Sequence, residues 1–248
     1  MSEPVFFDAA CRFGLAPNGT GATLQLLLEE MDRLGVAKAL VRDFALGAQN
    51  AALSNLRLAE KLKEYPRLTG VWCLLPEQCN ELPEPVKFFD EMKANRIGAL
   101  TLQPYDHRWL PNRTTIGGYM EEAKARKVPV LLDAFFRQFR DLDAFLKEFP
   151  DNYFIFTGNT GKWGIDRIFR PMMDCCKNLY FSIDGYWVPR GIEELVKRYG
   201  EHRILFGSGF PQYHAGSAML QLKHAELKEE TICRIASGNL EALLKGEL

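Results

Sequence analysis

No apolar run in this chain approaches the roughly 18 residues needed to cross a bilayer, so no membrane span is expected. The N-terminal stretch MSEPVFFDAACRFG has no basic segment leading into a long apolar one, which argues against a secretory leader. Blocks of like charge are missing as well. The formal net charge is −1, and nothing in the charge pattern favours a polyanion, so a nucleic-acid partner is not expected. The six cysteines lie at 11, 73, 79, 175, 176 and 233. They form no C-x-x-C pair and have no histidine at zinc-finger spacing. In a reducing compartment they serve mostly as small apolar side chains. These absences point to a cytoplasmic protein with no membrane or nucleic-acid partner, and they leave a homodimer open. The Asn18 and Asn112 sequons carry no weight without secretion.

Common catalytic motifs are lacking too. Gly19-Thr20-Gly21 has no third glycine for a dinucleotide fold, and Gly158–Lys162 lacks the spacing and the Ser/Thr of a phosphate loop. There is no G-x-S-x-G elbow and no H-E-x-x-H. No cofactor is expected.

What the chain does have is a repeating order of elements. Of its 248 residues 47% are hydrophobic and 25% charged, enough for a well-filled core. Short apolar runs cover Val5–Phe7, Val36–Val41, Leu68–Leu75, Ile97–Leu102, Val128–Leu132, Tyr153–Phe156, Leu179–Ile183 and Arg203–Phe206. Each is followed by a segment with helical spacing; Thr23–Leu34, for example, places Leu24, Leu27, Leu28, Met31 and Leu34 on one face ahead of Gly35. The runs are continuously apolar rather than alternating, as expected of parallel strands buried on both faces. Eight β-α units in a chain of this length predict an α/β fold, a closed (β/α)8 TIM barrel of one domain spanning 1–248, in preference to a doubly wound sheet.

In such a barrel, chemistry sits on the loops that follow the strands. The polar residues there are Asp8 and Arg12, then Arg42, Gln103, His107, Asp133, Arg137, Asn159, Asp184, Tyr186, Tyr213 and His214. Several acids and arginines on one mouth suit a polar, carboxylated small molecule. Bland roles suit the same residues. Asp8 and Asp133 can cap backbone amides, the arginines can pair at the rim, loop histidines are usually solvated, and Asp184-Gly185 is a turn signal.

Several of these segments resemble the amidohydrolase-related family of metal-dependent TIM-barrel hydrolases. FDAACRFG at 7–14 is similar to the family's D-A-H-x-H-x-G, and RILFGSGFP at 203–211 to R-I-L-F-G-S-D-x-P. IASGNLEALL at 235–244 resembles the closing I-x-x-x-N-A-x-x-L-L helix. VPVLLD at 128–133 and FIFTGNTG at 154–161 resemble the strands that end in P-V-L-I-H and H-x-G. The resemblance implies a metal-binding mouth, yet its ligand positions hold Ala10, Arg12, Asp133, Asn159 and Gly209. Ala10 and Gly209 offer no ligand side chain and Arg12 repels a cation, whereas a zinc site needs at least three good ligands. No metal is therefore expected, and Arg12 is expected to pair with Asp133 or Asp8 in the metal's place.

Three functions remain open at this level, and whether the chain is an enzyme at all is among the open points. One is a metal-independent, lactonase-like hydrolase. Its catalytic residues would be Asp133, Asp184 and His214, and Arg12, Asp8, Gln103, Arg137, Asn159 and Tyr186 would hold a small-molecule substrate. The second is a non-catalytic pseudoenzyme that binds a ligand or serves as a scaffold. The third is a metal hydrolase with ligands relocated to Asp8, Asp133, Asp184 and His214.

Overall fold

The computed structural model describes residues 3–16, 19–47, 50–133, 139–158 and 165–247. Among the described residues nine strands are joined to ten α-helices. The strands are β1 (Phe6–Leu15), β2 (Gly21–Ala22), β3 (Val36–Asp43), β4 (Leu68–Leu74), β5 (Ile97–Leu102), β6 (Val130–Leu131), β7 (Phe154–Phe156), β8 (Leu179–Ser182) and β9 (Ile204–Leu205). Between them run α1 (Leu24–Leu34), α2 (Ala51–Leu62), α3 (Pro85–Ala94), α4 (Arg113–Ala125), α5 (Phe139–Glu148), α6 (Asp166–Cys175) and α7 (Gly191–Tyr199). The chain closes with α8 (Ala215–Lys223), α9 (Glu229–Cys233) and α10 (Asn239–Lys245).

The sheet order is β2-β1-β3-β4-β5-β6-β7-β8-β9, with every pair from β1–β3 to β8–β9 parallel. The ends of this sheet meet. Ala9 N–H donates to Phe206 O at 3.0 Å and Arg12 N–H to Phe210 O at 2.9 Å. The sheet is therefore a closed eight-stranded barrel, as the alternation of elements predicts, and β2 is a short antiparallel addition to the end of β1.

The first strand differs from the sequence expectation. β1 continues well beyond Phe7, so Asp8, Ala10 and Arg12 lie on the strand and not after it. A register shift between Asp8 and Cys11 bends the strand there, and the closing bonds of Ala9 and Arg12 give the extra residues partners. Helix α4 starts at Arg113. Asn112 caps it, its side chain accepting from Thr115 N–H while the Thr115 hydroxyl accepts from Asn112 N–H. Such a cap contributes about 1 kcal/mol.

Apolar packing falls into two layers. A large layer fills the space between barrel and helices. A smaller one fills the barrel itself, with Leu40, Ala99, Leu131, Ile155, Tyr180 and Leu205 pointing inward and Leu240 and Leu243 of α10 closing one end. Because side chains alternate along a strand, the next inward position on each strand lies two residues on, toward the other end. Those positions are Arg42, Thr101, Asp133, Thr157 and Ser182. The apolar plug thus ends where a polar layer begins.

Candidate functional site

Asp133, just past β6, is the hub of the polar layer. Its Oδ2 accepts from Arg12 Nη2 at 3.1 Å. Its Oδ1 accepts from Arg42 Nη1 and, more weakly, from the Thr101 hydroxyl at 3.5 Å. The second Arg42 nitrogen reaches Thr157 Oγ1 at 3.4 Å. Arg12 and Arg42 are direct neighbours in the β1–β3 register, so Asp133 bridges two like charges that the sheet forces together. Of the two partners expected for Arg12, the structure selects Asp133.

The two arginines differ in access. Arg42 is buried, at 3% exposure. The Arg12 side chain retains 18% exposure, and its guanidinium carbon lies 5.4 Å from the centre of the Phe44 ring. Burial draws the Arg12 guanidinium down to about 10; Arg42 adds to the fall, and Asp133, Asp184 and Tyr213 oppose it. Arg12 stays cationic at neutral pH. One edge is committed to Asp133 and one face to Phe44, which fixes the orientation of its remaining donors.

Asp184 follows β8 and is 1% exposed. Its Oδ2 accepts from Gly158 N–H at 2.7 Å. Oδ1 meets no hydrogen-bond partner of normal geometry among the described residues. Burial raises this carboxyl to about 7, with the Ser182 hydroxyl, Gly158 N–H, Arg12 and Arg42 all pulling it back. It is an acid poised to gain or lose a proton near neutrality. Space beside it comes from glycine. A Cβ on Gly207 would stand 2.1 Å from Ser182 Oγ and 3.4 Å from Asp184 Cβ, and one on Gly209 would also stand 3.4 Å from Asp184 Cβ.

The remaining residues singled out in the sequence are placed as follows. Asp8 is buried, and its Oδ1 accepts from Ala10 N–H and Ser208 N–H, both at 2.9 Å; it staples the seam between β1 and the segment after β9. Gln103 is half-buried, and its carbonyl accepts from His107 N–H at 2.9 Å. Tyr186 is buried on the outer side of the barrel, edge-on to Phe169 and Phe181, with its hydroxyl donating to Asp166 at 2.9 Å. His214 is exposed and lies over α1, its Nε2 3.4 Å from an Arg33 nitrogen. The structure therefore gathers Arg12, Asp133 and Asp184 but does not bring Tyr186 or His214 to them. Arg137 and Asn159 lie outside the described residues.

Sequence reasoning underrated Arg42 and missed Thr101 and Thr157. The available signal was the two-residue step from each inward apolar position, Leu40, Ala99 and Ile155.

No family model matches the chain, and no curated protein matches it. Solved structures do. An uncharacterised TIM-barrel protein of Bordetella bronchiseptica superposes with a TM-score of 0.69 at 19% identity, over 96% of this chain and 98% of that one. A 2,6-dihydroxybenzoate decarboxylase from Rhizobium gives 0.69 at 14%, over 99% and 100%. A probable 2-pyrone-4,6-dicarboxylic acid hydrolase from Acinetobacter baumannii, with citric acid bound, gives 0.68 at 14%, over 96% and 98%. Across nearly its whole length, this chain has the TIM-barrel fold of these structures.

Proposed function

We propose that residues 1–248 act as one cytoplasmic barrel domain whose mouth takes a small carboxylated molecule without a metal ion. The observation that carries this is Arg12. It is a partly exposed guanidinium, oriented by Asp133 and Phe44, with donors left over and a second arginine behind it. Two guanidiniums against one committed carboxylate leave positive charge in the mouth, and a planar fork suits a carboxylate. Neighbours on this fold carry names that speak of carboxylated ligands, which supports the same class.

A divalent cation does not fit the described residues. Asp133 is the one acid among them at the ligand positions that the resemblance implies, and two guanidiniums occupy its oxygens. No group of three or more His, Cys, Asp or Glu side chains able to hold a metal exists among the described residues. Against the relocated-ligand reading stands the position of His214, which lies over α1.

The chemistry best suited to these groups is hydrolysis of a lactone or ester that also bears a carboxylate. Water adds to the carbonyl carbon and Asp184 takes its proton. Arg12 stabilises the oxyanion that forms, and the carbon–oxygen bond to the leaving alkoxide breaks as Asp184 returns the proton to it. Asp133 anchors the arginines and is not itself the base. A second reading, a binding protein without turnover, is favoured by the complete burial of Asp184.

Isothermal titration with citrate and with 2,6-dihydroxybenzoate tests the proposal. Both should bind the native protein equally well with and without chelator. Arg12→Gln should weaken binding by roughly tenfold or more, as expected for loss of a charged hydrogen bond of about 1.5–3 kcal/mol. Binding that vanishes with chelator, or that ignores Arg12→Gln, would overturn it.

A further inference from the structure

We propose that two copies of this chain pair through α2, the helices running antiparallel about a two-fold axis between Arg57 and Glu60. The inner face of α2 is an ordinary packed one, with Ser54, Asn55, Leu58, Ala59 and Leu62 buried. Its outer face carries Leu53, Leu56, Arg57, Glu60 and Lys61, all exposed. A surface helix normally keeps that face polar. Here Leu53 is 45% and Leu56 61% exposed.

Beside that face lies a groove. The β1–β2 hairpin, the start of α1 and the end of α2 border an open space of about 820 Å³. Leu15, Leu26 and Tyr65 give it apolar walls, and Glu60, Lys61 and Glu64 line its edge along α2. Glu64 lies in the turn that continues α2, its N–H donating to Lys61 O at 3.2 Å. Leu15 is 67% and Leu26 47% exposed. Exposed apolar side chains gathered on adjoining elements mark a surface that another molecule covers.

The helix itself supplies the occupant. Let Arg57 face Glu60 of a second copy, with the helices antiparallel. The same register then sets Leu53 opposite position 64 and Leu56 opposite position 61, at the edge of the second copy's groove. The two-fold axis repeats each contact, as a closed dimer requires. Charge agrees with this register. Arg57 is exposed and has no ion pair among the described residues. Glu60 pairs with Lys63 at 2.6 Å, but both side chains are largely exposed, and such a pair is weak and readily exchanged. A parallel pairing would instead set Arg57 against Arg57 and Glu60 against Glu60. The leucines, the groove edge and the opposite charges thus lie on one helix at the spacing that an antiparallel two-fold needs.

The test needs no ligand, so its failure is separate from a failure of carboxylate binding. Sedimentation velocity of the native protein over about 1–100 μM covers the affinities of modest interfaces, and should show two chains per particle at the upper end. Arg57→Glu and Glu60→Arg, each alone, should weaken the dimer by about tenfold or more, because like charges then face each other across the axis. Leu56→Lys should do the same, since it loses an apolar contact and meets Lys61 of the second copy. Arg57→Glu combined with Glu60→Arg should regain the dimer, because the swap restores opposite charges. All three positions are exposed, so each variant should keep a near-native melting temperature. One chain per particle throughout the range for the native protein would overturn the pairing. So would a dimer that keeps its affinity in Arg57→Glu and Leu56→Lys, which would place the contact on another face, or a charge swap that stays as weak as its single variants.

Discussion

Arg12 on β1 and Asp133 beyond β6 meet across the barrel, Nη2 to Oδ2, at 3.1 Å. The contact holds down an arginine whose strand neighbour is a second arginine, and this gives Asp133→Asn a defined consequence. Without the carboxylate, two largely buried guanidiniums face each other uncompensated. Breaking a buried pair from one side costs roughly 3–5 kcal/mol, and each kcal/mol lowers the melting temperature of a protein this size by about 2–4 °C. Thermal denaturation should show the drop. Adding Arg42→Met to Asp133→Asn should recover part of it by removing the stranded charge. A melting temperature unchanged by Asp133→Asn would refute the anchoring role.

Asp184 predicts a pH dependence. Its carboxyl is raised from the ordinary 3.8 to about 7 in the folded protein, so between those values the folded state binds more protons than the unfolded one. Stability from this group is full below pH 3.8 and is lost as pH rises through about 7. Asp184→Asn mimics the protonated acid and keeps the Gly158 acceptor. The variant should therefore gain on the native protein as pH rises, by an amount on the order of a few kcal/mol above pH 8. Denaturant titrations at pH 5 and pH 8 check this; an advantage that shrinks on going to pH 8 would refute the assignment.

Asn239 holds the closing helix in place. Its side-chain amide donates to Glu201 O at 2.7 Å and to Ile204 O at 2.8 Å. Asn239→Ala strands two carbonyls at a cost of about 1–3 kcal/mol each. Asn239→Asp should be worse at neutral pH, because it sets an anion against those carbonyls, and should recover on acidification. Melting curves of both variants across pH measure the difference, and equal damage at every pH would count against it.

Chelator treatment should leave the melting temperature unchanged, and elemental analysis should find less than about a tenth of an equivalent of zinc, manganese or iron, since three good ligands are needed to hold one. A metal near one equivalent, or a melt that falls with chelator, would sink the metal-free reading.

The barrel was legible because eight apolar runs alternate with amphipathic helices, and that pattern does not depend on side-chain direction. Which face of each strand points inward was not legible. Parallel strands are apolar on both faces, so the alternation that would mark Arg42, Thr101 and Thr157 as inward is masked by Val41, Leu100 and Phe156 between the inward positions. Arg12 was found through the resemblance, although the strand it lies on was drawn too short. Its extra length depends on bonds to Phe206 and Phe210, far along the chain, which no local window contains. Tyr186 and Tyr213 both follow strand ends, and only packing separates the one against Phe169 and Phe181 from the one beside Gly209.

The seam between β1 and the segment after β9 fixes when the mouth comes into being. The Asp8 carboxylate reaches Ser208 N–H across 200 positions, and Arg12 takes its backbone place from Phe210. During synthesis the first strand must wait, with its arginine emerged but unaligned, until the final strand has left the ribosome. Loop closure over such a span is entropically slow, so maturation of the ligand site should lag behind collapse of the earlier β-α units and arrive in one late step.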